Sequence, residues 1–242
     1  MRLLTVNIVG SIGDQLFQIA AAHAYAKEHL LDLVMPDSWN KSDLLRDTFF
    51  DSKIFTLIPK EQYISINWHT VEKYFEFPKG FPFYKLKGKF QEFKYFSKYS
   101  SEIKHLFQIS NTLENTASDI LREVGINDPD GWIACLVYNE PPTYYLTARE
   151  TIQSKIGLRA VCWITNDTES VYKNLYKEGD KVINEDQIKQ LACLSLFPYI
   201  IMSNVSLCWW ATWLNPKNYS DRIICYPKTL KIYEDEWLKI II

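Results

Sequence analysis

Short apolar runs along the chain alternate with segments in which apolar residues recur at helical spacing. The run at residues 2–9 is apolar and partly β-branched, which predicts a strand. Two glycines mark a turn at 10–13, and an apolar stripe over 14–31 predicts a long helix with Asp14 as its N-cap. A second strand is predicted at 31–35. The chain therefore opens as strand, turn, helix and strand, the unit that builds parallel sheets.

The same alternation returns in the second half of the chain, after a less regular stretch at 40–99. Turn-forming residues cluster at 125–131, so we place a boundary there between an N-terminal lobe, 1–125, and a C-terminal lobe, 126–242. Further predicted strands are 132–138, 160–164, 199–202 and 223–226, and further predicted helices are 94–107, 112–124, 144–156, 168–176, 185–196 and 205–214.

Three predicted strands end in small polar residues that are followed at once by a helix. These turns are residues 10–15, 165–167 and 203–206. In open α/β sheets, ligands bind beyond the carboxyl ends of the strands, where helix N-termini present N–H groups. The turns are far apart in sequence, so a two-lobed α/β protein with a cleft between its lobes would bring them together.

The first turn has glycines at Gly10 and Gly13 and continues with Asp14 and Gln15. Its spacing matches neither the dinucleotide-binding GxGxxG pattern nor the P-loop, which also needs a Lys and a Ser or Thr. The missing third glycine argues against a Rossmann-type dinucleotide enzyme. Two interpretations stay open: an anion-binding turn, or a tight connection from strand to helix that holds no ligand.

The other two turns also have two interpretations each. Thr165 and Asp167 have the hydrogen-bonding groups to hold a ribose or a base, and Asp167 is equally suited to cap the next helix. Ser203, Asn204 and Ser206 have the hydroxyl and N–H groups to wrap a phosphate, with helix capping again as the alternative.

Three tryptophans lie close together in the last predicted helix. Trp209, Trp210 and Trp213 have the spacing of one helical stripe, which favours packing of that helix against the sheet. A surface platform for a sugar is the alternative, because sugar rings stack on aromatic faces. Aromatic residues make up 15% of the whole chain, and we expect most of them in the core.

Composition and charge narrow the functional classes. The formal net charge is −2, which excludes a general nucleic-acid binder, and a hydrophobic fraction of 47% excludes wholesale disorder. The five cysteines have no CxxC spacing and the four histidines have no metal-ligand spacing, so we expect reduced thiols and no metal. No run reaches the roughly eighteen apolar residues of a membrane span, and no signal peptide is recognised. We therefore expect a soluble, cytoplasmic protein.

Several segments together resemble the α-1,2-fucosyltransferases of glycosyltransferase family 11. The matches occur in the order of the family's motifs and run almost end to end, so the ordered set is more specific than any one of them. GSIGDQLFQIAA (10–21) resembles GGxGNQxFQYA, LKGKFQEFKYF (86–96) resembles GYFQSEKYF, WITND (163–167) stands where the family has FFSDD, SNVSLCWWATWLNP (203–216) resembles SNSSFSWWxAWLN, and Pro227, Lys228 and Trp237 resemble the closing PKxW and tail.

This resemblance implies a GT-B-like α/β fold, with two Rossmann-like lobes facing across a cleft. It implies inverting, metal-independent transfer of L-fucose from GDP-fucose to a glycan hydroxyl, with the acceptor on the N-terminal lobe and the nucleotide sugar on the C-terminal lobe. No metal, resident cofactor, nucleic acid or membrane span is expected. By position, the resemblance places these residues around the donor: Gly10, Gly13, Asp14 and Gln15 near the diphosphate, Thr165 and Asp167 near the nucleoside, and Ser203, Asn204 and Ser206 near the diphosphate or the fucose.

The sequence departs from the family at its basic HxRRGD motif. Leu136, Tyr138 and Asn139 stand where the family has His and two Arg. Because a bidentate arginine stabilises a bound phosphate, either Arg149 or Arg159 replaces the lost cations, or the donor or the activity has changed.

Two carboxylates are candidates for the catalytic base, namely Asp14 and Glu140. Asp14 also replaces the family's Asn and adds a negative charge near the expected diphosphate. Two hypotheses therefore accompany a fucosyltransferase: a transferase that uses another nucleotide sugar, and a catalytically inactive relative that binds a glycan or a partner protein.

Overall fold

The computed structural model describes residues 2–41, 55–215, 222–228 and 239–241. They belong to two compact α/β units, Met1–Gln108 and Ile109–Ile242. Each unit is built on one sheet, and every strand pair in both sheets is parallel. Pro216 and Trp237, which belong to the segments that resemble the fucosyltransferases, lie outside the described residues.

The first unit has a five-stranded sheet in the order β3-β2-β1-β5-β4. Its central strand is the first strand of the chain, and α1 packs against this strand and its neighbour β2. The elements are β1 Leu3–Val6, α1 Ile12–His29, β2 Asp32–Pro36, β3 Thr56–Ile58, α2 Lys60–Ser65, β4 His69–Val71, β5 Phe83–Leu86 and α3 Ser100–Leu106.

The second unit has a six-stranded sheet in the order β11-β10-β9-β6-β7-β8. Helices separate most of its strands along the chain, as parallel pairing requires. The elements are α4 Asn111–Glu123, β6 Ile133–Leu136, α5 Pro142–Ile156, β7 Val161–Ile164, α6 Thr168–Asn174, β8 Lys181–Ile183, α7 Gln187–Leu194, β9 Tyr199–Ile201, α8 Ser206–Trp213, β10 Ile223–Tyr226 and β11 Lys239–Ile241.

Helix α1 begins at Ile12, two residues before the start that the sequence predicted. Ser11 is its N-cap, and Asp14 occupies the third helical position of a capping box. The prediction of Asp14 as N-cap is therefore wrong. The reason is that Gly10 alone, with φ of +93°, makes the turn, whereas Gly13 is already helical and buried.

The two units divide between Gln108 and Ile109, earlier than the boundary predicted after Gly125. Helix α4 causes the difference, because it packs on α7 of the second unit. One face of α4 is buried in this contact, and the Cys193 thiol of α7 lies 3.8 Å from the Ala117 carbonyl oxygen of α4. Sequence periodicity identified this helix but not the side of the boundary to which it belongs.

The tryptophans of α8 are part of the core, as the helical stripe predicted. Trp209 and Trp210 are fully buried and Trp213 is 2% exposed. The rings of Trp209 and Trp213 stack with centroids 5.3 Å apart, and Trp210 meets Trp209 edge-on at 4.9 Å. This arrangement leaves no exposed ring face for a sugar platform on α8.

Titratable side chains are distributed unequally between the two units. All four histidines of the chain lie in the first unit, and all five cysteines lie in the second. The cysteines are unpaired and buried. Burial raises the pKa of Cys193, Cys208 and Cys225 to about 12 and raises that of Cys135 and Cys162 well above its usual value.

The described part of the chain lacks two features, a helix that could cross a membrane and a cluster of metal-ligating side chains. None of its helices combines the length and apolar character that crossing a bilayer requires. No group of three or more His, Cys, Asp or Glu side chains in these residues is arranged to hold a metal ion.

Candidate functional site

The first strand-end turn is closed by its own side chains. The Ser11 N–H donates to Asp14 Oδ2 at 3.1 Å, and the Asp14 N–H donates to Ser11 Oγ at 3.4 Å. Gln15 Nε2 donates to the Gly10 carbonyl at 3.0 Å. The buried Gln18 binds both backbone groups of Val9, at 2.8 and 3.0 Å. The polar residues of this turn therefore fix the path of the chain from β1 into α1.

A second segment that resembles the fucosyltransferases reaches this turn. Gln91 Nε2 donates to Asp14 Oδ1, so each oxygen of the Asp14 carboxylate accepts a hydrogen bond. Phe90, just before Gln91, has φ of +52°, which is rare for a residue with a side chain. Its ring fills the space beside Gly88, where a Cβ would lie 2.7 Å from the ring. Sequence analysis did not anticipate the contact between Gln91 and Asp14, although both segments appeared in the resemblance.

In the second unit, the loops after β6, β7 and β9 lie next to one another. Strand β6 is the middle strand of the three, with Cys135 paired to Ile201 of β9 and Leu136 paired to Ile164 of β7. Neighbouring strands are about 4.8 Å apart, so the ends of β7 and β9 are separated by about 10 Å. The predicted residues after these strands therefore share one edge, which we call the carboxyl edge of the second sheet.

A chain of hydrogen bonds joins the loop after β6 to the loop after β9. The Tyr145 hydroxyl accepts from the Tyr138 N–H at 2.9 Å and lies 2.8 Å from Ser203 Oγ. Ser203 Oγ donates to the Leu136 carbonyl at 2.5 Å. Burial raises the pKa of Tyr145 and keeps it a neutral donor and acceptor. Ser203 is fully buried, so its hydroxyl holds the two loops together.

Glu140 and Tyr138 belong to the loop after β6, which stands where the α-1,2-fucosyltransferases have their basic motif. Glu140 Oε1 accepts from the Asn204 N–H at 3.2 Å. Tyr138 is 60% exposed, which is unusual for a large aromatic side chain at the end of a buried strand. Sequence analysis noted Tyr138 only as the position of a missing arginine.

The loop after β7 is also held internally. Asp167 is the N-cap of α6 and accepts from the Ser170 N–H at 3.0 Å, so the capping alternative is correct for this residue. Thr165 is buried, and its hydroxyl accepts from the Asp167 N–H at 2.9 Å. Gln190 reaches over from α7 and donates to Asn166 Oδ1 at 2.6 Å.

Helix α8 begins without a comparable cap. Its N-cap is Val205, which has no side-chain oxygen and makes no capping hydrogen bond. Ser206 is the first helical residue, so the alternative interpretation of Ser203, Asn204 or Ser206 as the N-cap is wrong. The positive end of the helix dipole lies beside Asn204 and Ser206.

Neither arginine proposed to replace the family's cations lies at this edge. Arg149 is buried and forms a bidentate ion pair with Asp180, at 2.7 and 3.0 Å, just before the start of β8. Arg159 is exposed and precedes β7, also at the opposite edge of the sheet. Among the described residues of the five loops at the carboxyl edge, Lys228 after β10 is the one basic side chain, and it is exposed.

Within each unit, the structure thus brings predicted residues together. Gly10, Gly13, Asp14 and Gln15 form one turn of the first unit. In the second unit, Glu140 contacts Asn204 directly, and Ser206 begins the helix that follows. Thr165 and Asp167 lie two strands away along the same edge.

The solved structures to which this chain is similar include fucosyltransferases. POFUT1 in complex with GDP aligns with a TM-score of 0.63 at 10% identity, over 93% of this chain and 97% of that chain. The NodZ α-1,6-fucosyltransferase from Bradyrhizobium, soaked with GDP-fucose, aligns with a TM-score of 0.57 at 11% identity, over 92% and 97%. An Arabidopsis thaliana FUT1 variant with GDP aligns with a TM-score of 0.55 at 12% identity, over 89% and 69%.

The chain has the GT-B-like fold of these fucosyltransferases. The predicted α/β class with two parallel-sheet lobes is confirmed by this likeness and by the two sheets. No family model matches the sequence, and no curated protein matches it either.

Proposed function

We propose that the protein is a glycosyltransferase that moves L-fucose from GDP-fucose to a hydroxyl group of a glycan, with inversion and without a metal. The observation that carries this proposal is the position of the segments that resemble the fucosyltransferases. They form the turn after β1 and the loops after β7 and β9, on a fold whose solved neighbours were crystallised with GDP or GDP-fucose.

The carboxyl edge of the second sheet supports a donor site. The N-cap of α8, Val205, makes no side-chain hydrogen bond, and the positive end of the dipole of this helix suits a diphosphate. Asp167 and Thr165 lie two strands away, a separation that suits the ribose of the same nucleotide. Tyr138 projects from the loop between them and would stack on the base. Lys228 would supply a positive charge.

In the proposed reaction, a carboxylate takes the proton of the acceptor hydroxyl. The acceptor oxygen then bonds to the anomeric carbon of fucose while the bond from that carbon to the diphosphate oxygen breaks, and GDP leaves. Fixed N–H donors at α8 and Lys228 would stabilise the charge that develops on the diphosphate. We propose Asp14 as the base, because its carboxylate is oriented by Ser11 and Gln91, with Glu140 as the second candidate.

One observation favours a second candidate function, a binding protein without transferase activity or with another nucleotide sugar. Arg149 forms an ion pair with Asp180 and is not at the carboxyl edge. The Glu140 carboxylate accepts a hydrogen bond from the Asn204 N–H, so a negative charge lies close to where a diphosphate would bind. The protein has five unpaired cysteines, which supports a reducing compartment such as the cytoplasm for either function.

The test is a thermal-shift and calorimetric titration with GDP, GDP-fucose, GDP-mannose, UDP, UDP-sugars and dTDP-sugars. Ligands that bind the native state raise its melting temperature, so weak binding is visible at high concentration. We expect a shift with GDP compounds alone. A shift with another nucleotide would mean that the donor is a different nucleotide sugar. No shift with any of them would favour a binding protein without transferase activity.

Variants locate the site. Asp167→Ala should weaken GDP binding, with Glu169→Ala in the next turn as the control. Glu140→Gln should strengthen GDP binding about fivefold, because it removes a negative charge worth about 1 kcal/mol near the diphosphate. Glu178→Gln, the same change at the opposite edge, should have no effect. Unchanged GDP affinity in both Asp167→Ala and Glu140→Gln would show that the donor binds at another site.

A further inference from the structure

A groove in the first unit lies along the edge strand β4, outside the strand-end turns described above. Its volume is about 460 Å³, within the range of ligand sites in proteins. The strand contributes His69, Thr70 and Val71 to its lining, and the segment that follows contributes Phe77 and Pro78. The charged residues of the lining are Glu72, Lys73 and Glu76.

The walls of the groove are held in place by contacts behind them. The His69 ring stacks on Phe81, with centroids 3.8 Å apart and planes inclined by 12°. Phe77 stacks on His29 at 4.1 Å, and the Tyr25 hydroxyl donates to the Glu76 carbonyl at 3.4 Å. A ligand would therefore meet a largely ordered surface, which reduces the entropy lost on binding.

Edge strand β4 turns one pair of backbone groups away from its sheet, and the described residues include no hydrogen-bond partner for that pair. The Lys87 N–H donates to the Val71 carbonyl, so Val71 and His69 use their backbone groups toward β5. Because residues alternate in a parallel ladder, the N–H and carbonyl of Thr70 point away from the sheet. Thr70 is exposed and lines the groove.

The charged side chains that line the groove are paired. Glu72 contacts Lys87 at 2.9 Å, and Lys73 contacts Glu76 at 3.1 Å. Such pairs offer oxygen acceptors and N–H donors to hydroxyl groups without a net charge that would select an ion. A neutral ligand with many hydroxyls and an apolar face matches this combination with the His69 ring and Pro78.

An extended peptide fits the groove less well than a sugar. A peptide that adds to a sheet needs a run of outward backbone groups, but β4 has three residues and only Thr70 faces outward. A pyranose ring can use a single N–H and carbonyl, together with an apolar wall and nearby polar side chains.

The groove also has a fixed position relative to the first turn. Val6, Leu86 and Val71 are in register across β1, β5 and β4. Two strand spacings separate Val71 from Val6, a distance of about 10 Å. An oligosaccharide in the groove could therefore extend across the carboxyl ends of β4, β5 and β1, in the first sheet, toward the turn that carries Asp14.

We propose that the groove between β4 and the segment 72–78 binds a neutral oligosaccharide, with Thr70, His69 and the Lys73–Glu76 pair as its contacts. The proposal of saccharide binding depends only on the groove. The further proposal, that the groove holds the acceptor so that one hydroxyl reaches the first turn, rests on the proposed transferase function.

The experiment applies fluorescently labelled protein, without nucleotide, to a printed array of neutral oligosaccharides, followed by titration with the best-bound oligosaccharide. Thr70→Pro removes the outward N–H and should weaken binding at least tenfold, while proline is tolerated at such an edge position. Thr70→Val keeps that N–H and should retain binding. His69→Ala removes the ring and should also weaken binding at least tenfold, which keeps the test decisive if Thr70→Pro does not fold.

Each outcome decides the proposal. Melting temperatures within a few degrees of the parent show that a variant is folded. Absence of binding to every oligosaccharide at millimolar concentration, or binding unchanged in both weakening variants, overturns it. Preference for extended peptides in a parallel titration overturns the saccharide class. If GDP-fucose is turned over, His69→Ala should raise KM for the acceptor and leave KM for GDP-fucose unchanged; if no nucleotide binds, saccharide binding is still tested by the array.

Discussion

Helices α1 and α8 both begin just beyond the end of a parallel strand, in segments with similar small polar residues, yet their first turns differ. Ser11 and Asp14 close the start of α1 with two reciprocal hydrogen bonds. The N-cap of α8 is Val205, which makes no capping hydrogen bond. Ser203 does not substitute as a cap, because its buried hydroxyl is bonded to Leu136 and Tyr145.

The difference teaches that polar residues at a strand end can serve either the fold or a ligand. In the first unit they complete the turn and orient one carboxylate. In the second unit Ser203 joins the ends of two strands, and the N-cap of α8 makes no capping hydrogen bond. The predictions below separate these uses, beginning with the change that should cost most stability.

Arg149→Met should destabilise the second unit by about 3–5 kcal/mol, because it leaves Asp180 buried without its ion pair. Urea unfolding followed by circular dichroism measures this loss. Arg159→Met is the matched control on the exposed arginine and should change stability by less than about 0.5 kcal/mol. Preserved stability with reduced GDP affinity would instead make Arg149 the phosphate ligand that the sequence suggested.

Ser203→Ala should cost about 1–3 kcal/mol, because it removes the buried hydroxyl that is hydrogen-bonded to both Tyr145 and the Leu136 carbonyl. Tyr145→Phe tests the same link from the other side. The double variant should lose less than the sum of the two single losses, since both remove one hydrogen-bonded chain. Additive losses would show that the two hydroxyls act separately.

Ser11→Ala should cost about 1 kcal/mol, the usual loss when an N-cap hydroxyl is removed. Ser206→Ala is its counterpart at α8 and should cost less stability than Ser11→Ala, because Ser206 is not the N-cap. Chemical denaturation of both variants makes the comparison. Equal losses would mean that the two helix starts are stabilised in the same way.

Acidification should affect the first unit selectively, with the smallest effect of the four. Burial lowers the pKa of His23 in α1, although Glu102 at 3.1 Å opposes the shift, and burial also lowers the pKa of His29. The unfolded chain therefore binds protons more readily, so stability is full above about pH 6.5 and falls as the pH drops through the folded pKa values. Calorimetry between pH 7.5 and 5.5 should show a falling melting temperature.

Two histidine variants make the pH experiment specific. His23→Gln should flatten the dependence on pH, because it removes the buried group. His105→Gln, at an exposed position of the same unit, should leave the dependence as it is. An equal slope in the parent and in His23→Gln would assign the effect to other groups.

Sequence periodicity predicted the parallel α/β fold because strands and helices in such sheets have distinct apolar patterns. It could not show that α4 packs on α7 or that Arg149 is paired with Asp180, since both depend on contacts between residues distant in the chain. The strand-end turns were located from sequence for the same local reason. The contact of Gln91 with Asp14 and the bonding of Ser203 required the folded chain.

Because every cysteine lies in the second unit, thiol labelling measures the opening of that unit alone. A buried thiol with a raised pKa reacts with an alkylating reagent only when the surrounding structure opens. The rate of modification in native buffer therefore records how often the second unit opens, while the first unit contributes no signal. Intact-mass spectra would then separate concerted opening, with molecules carrying either none or five labels, from piecemeal opening, with intermediate counts.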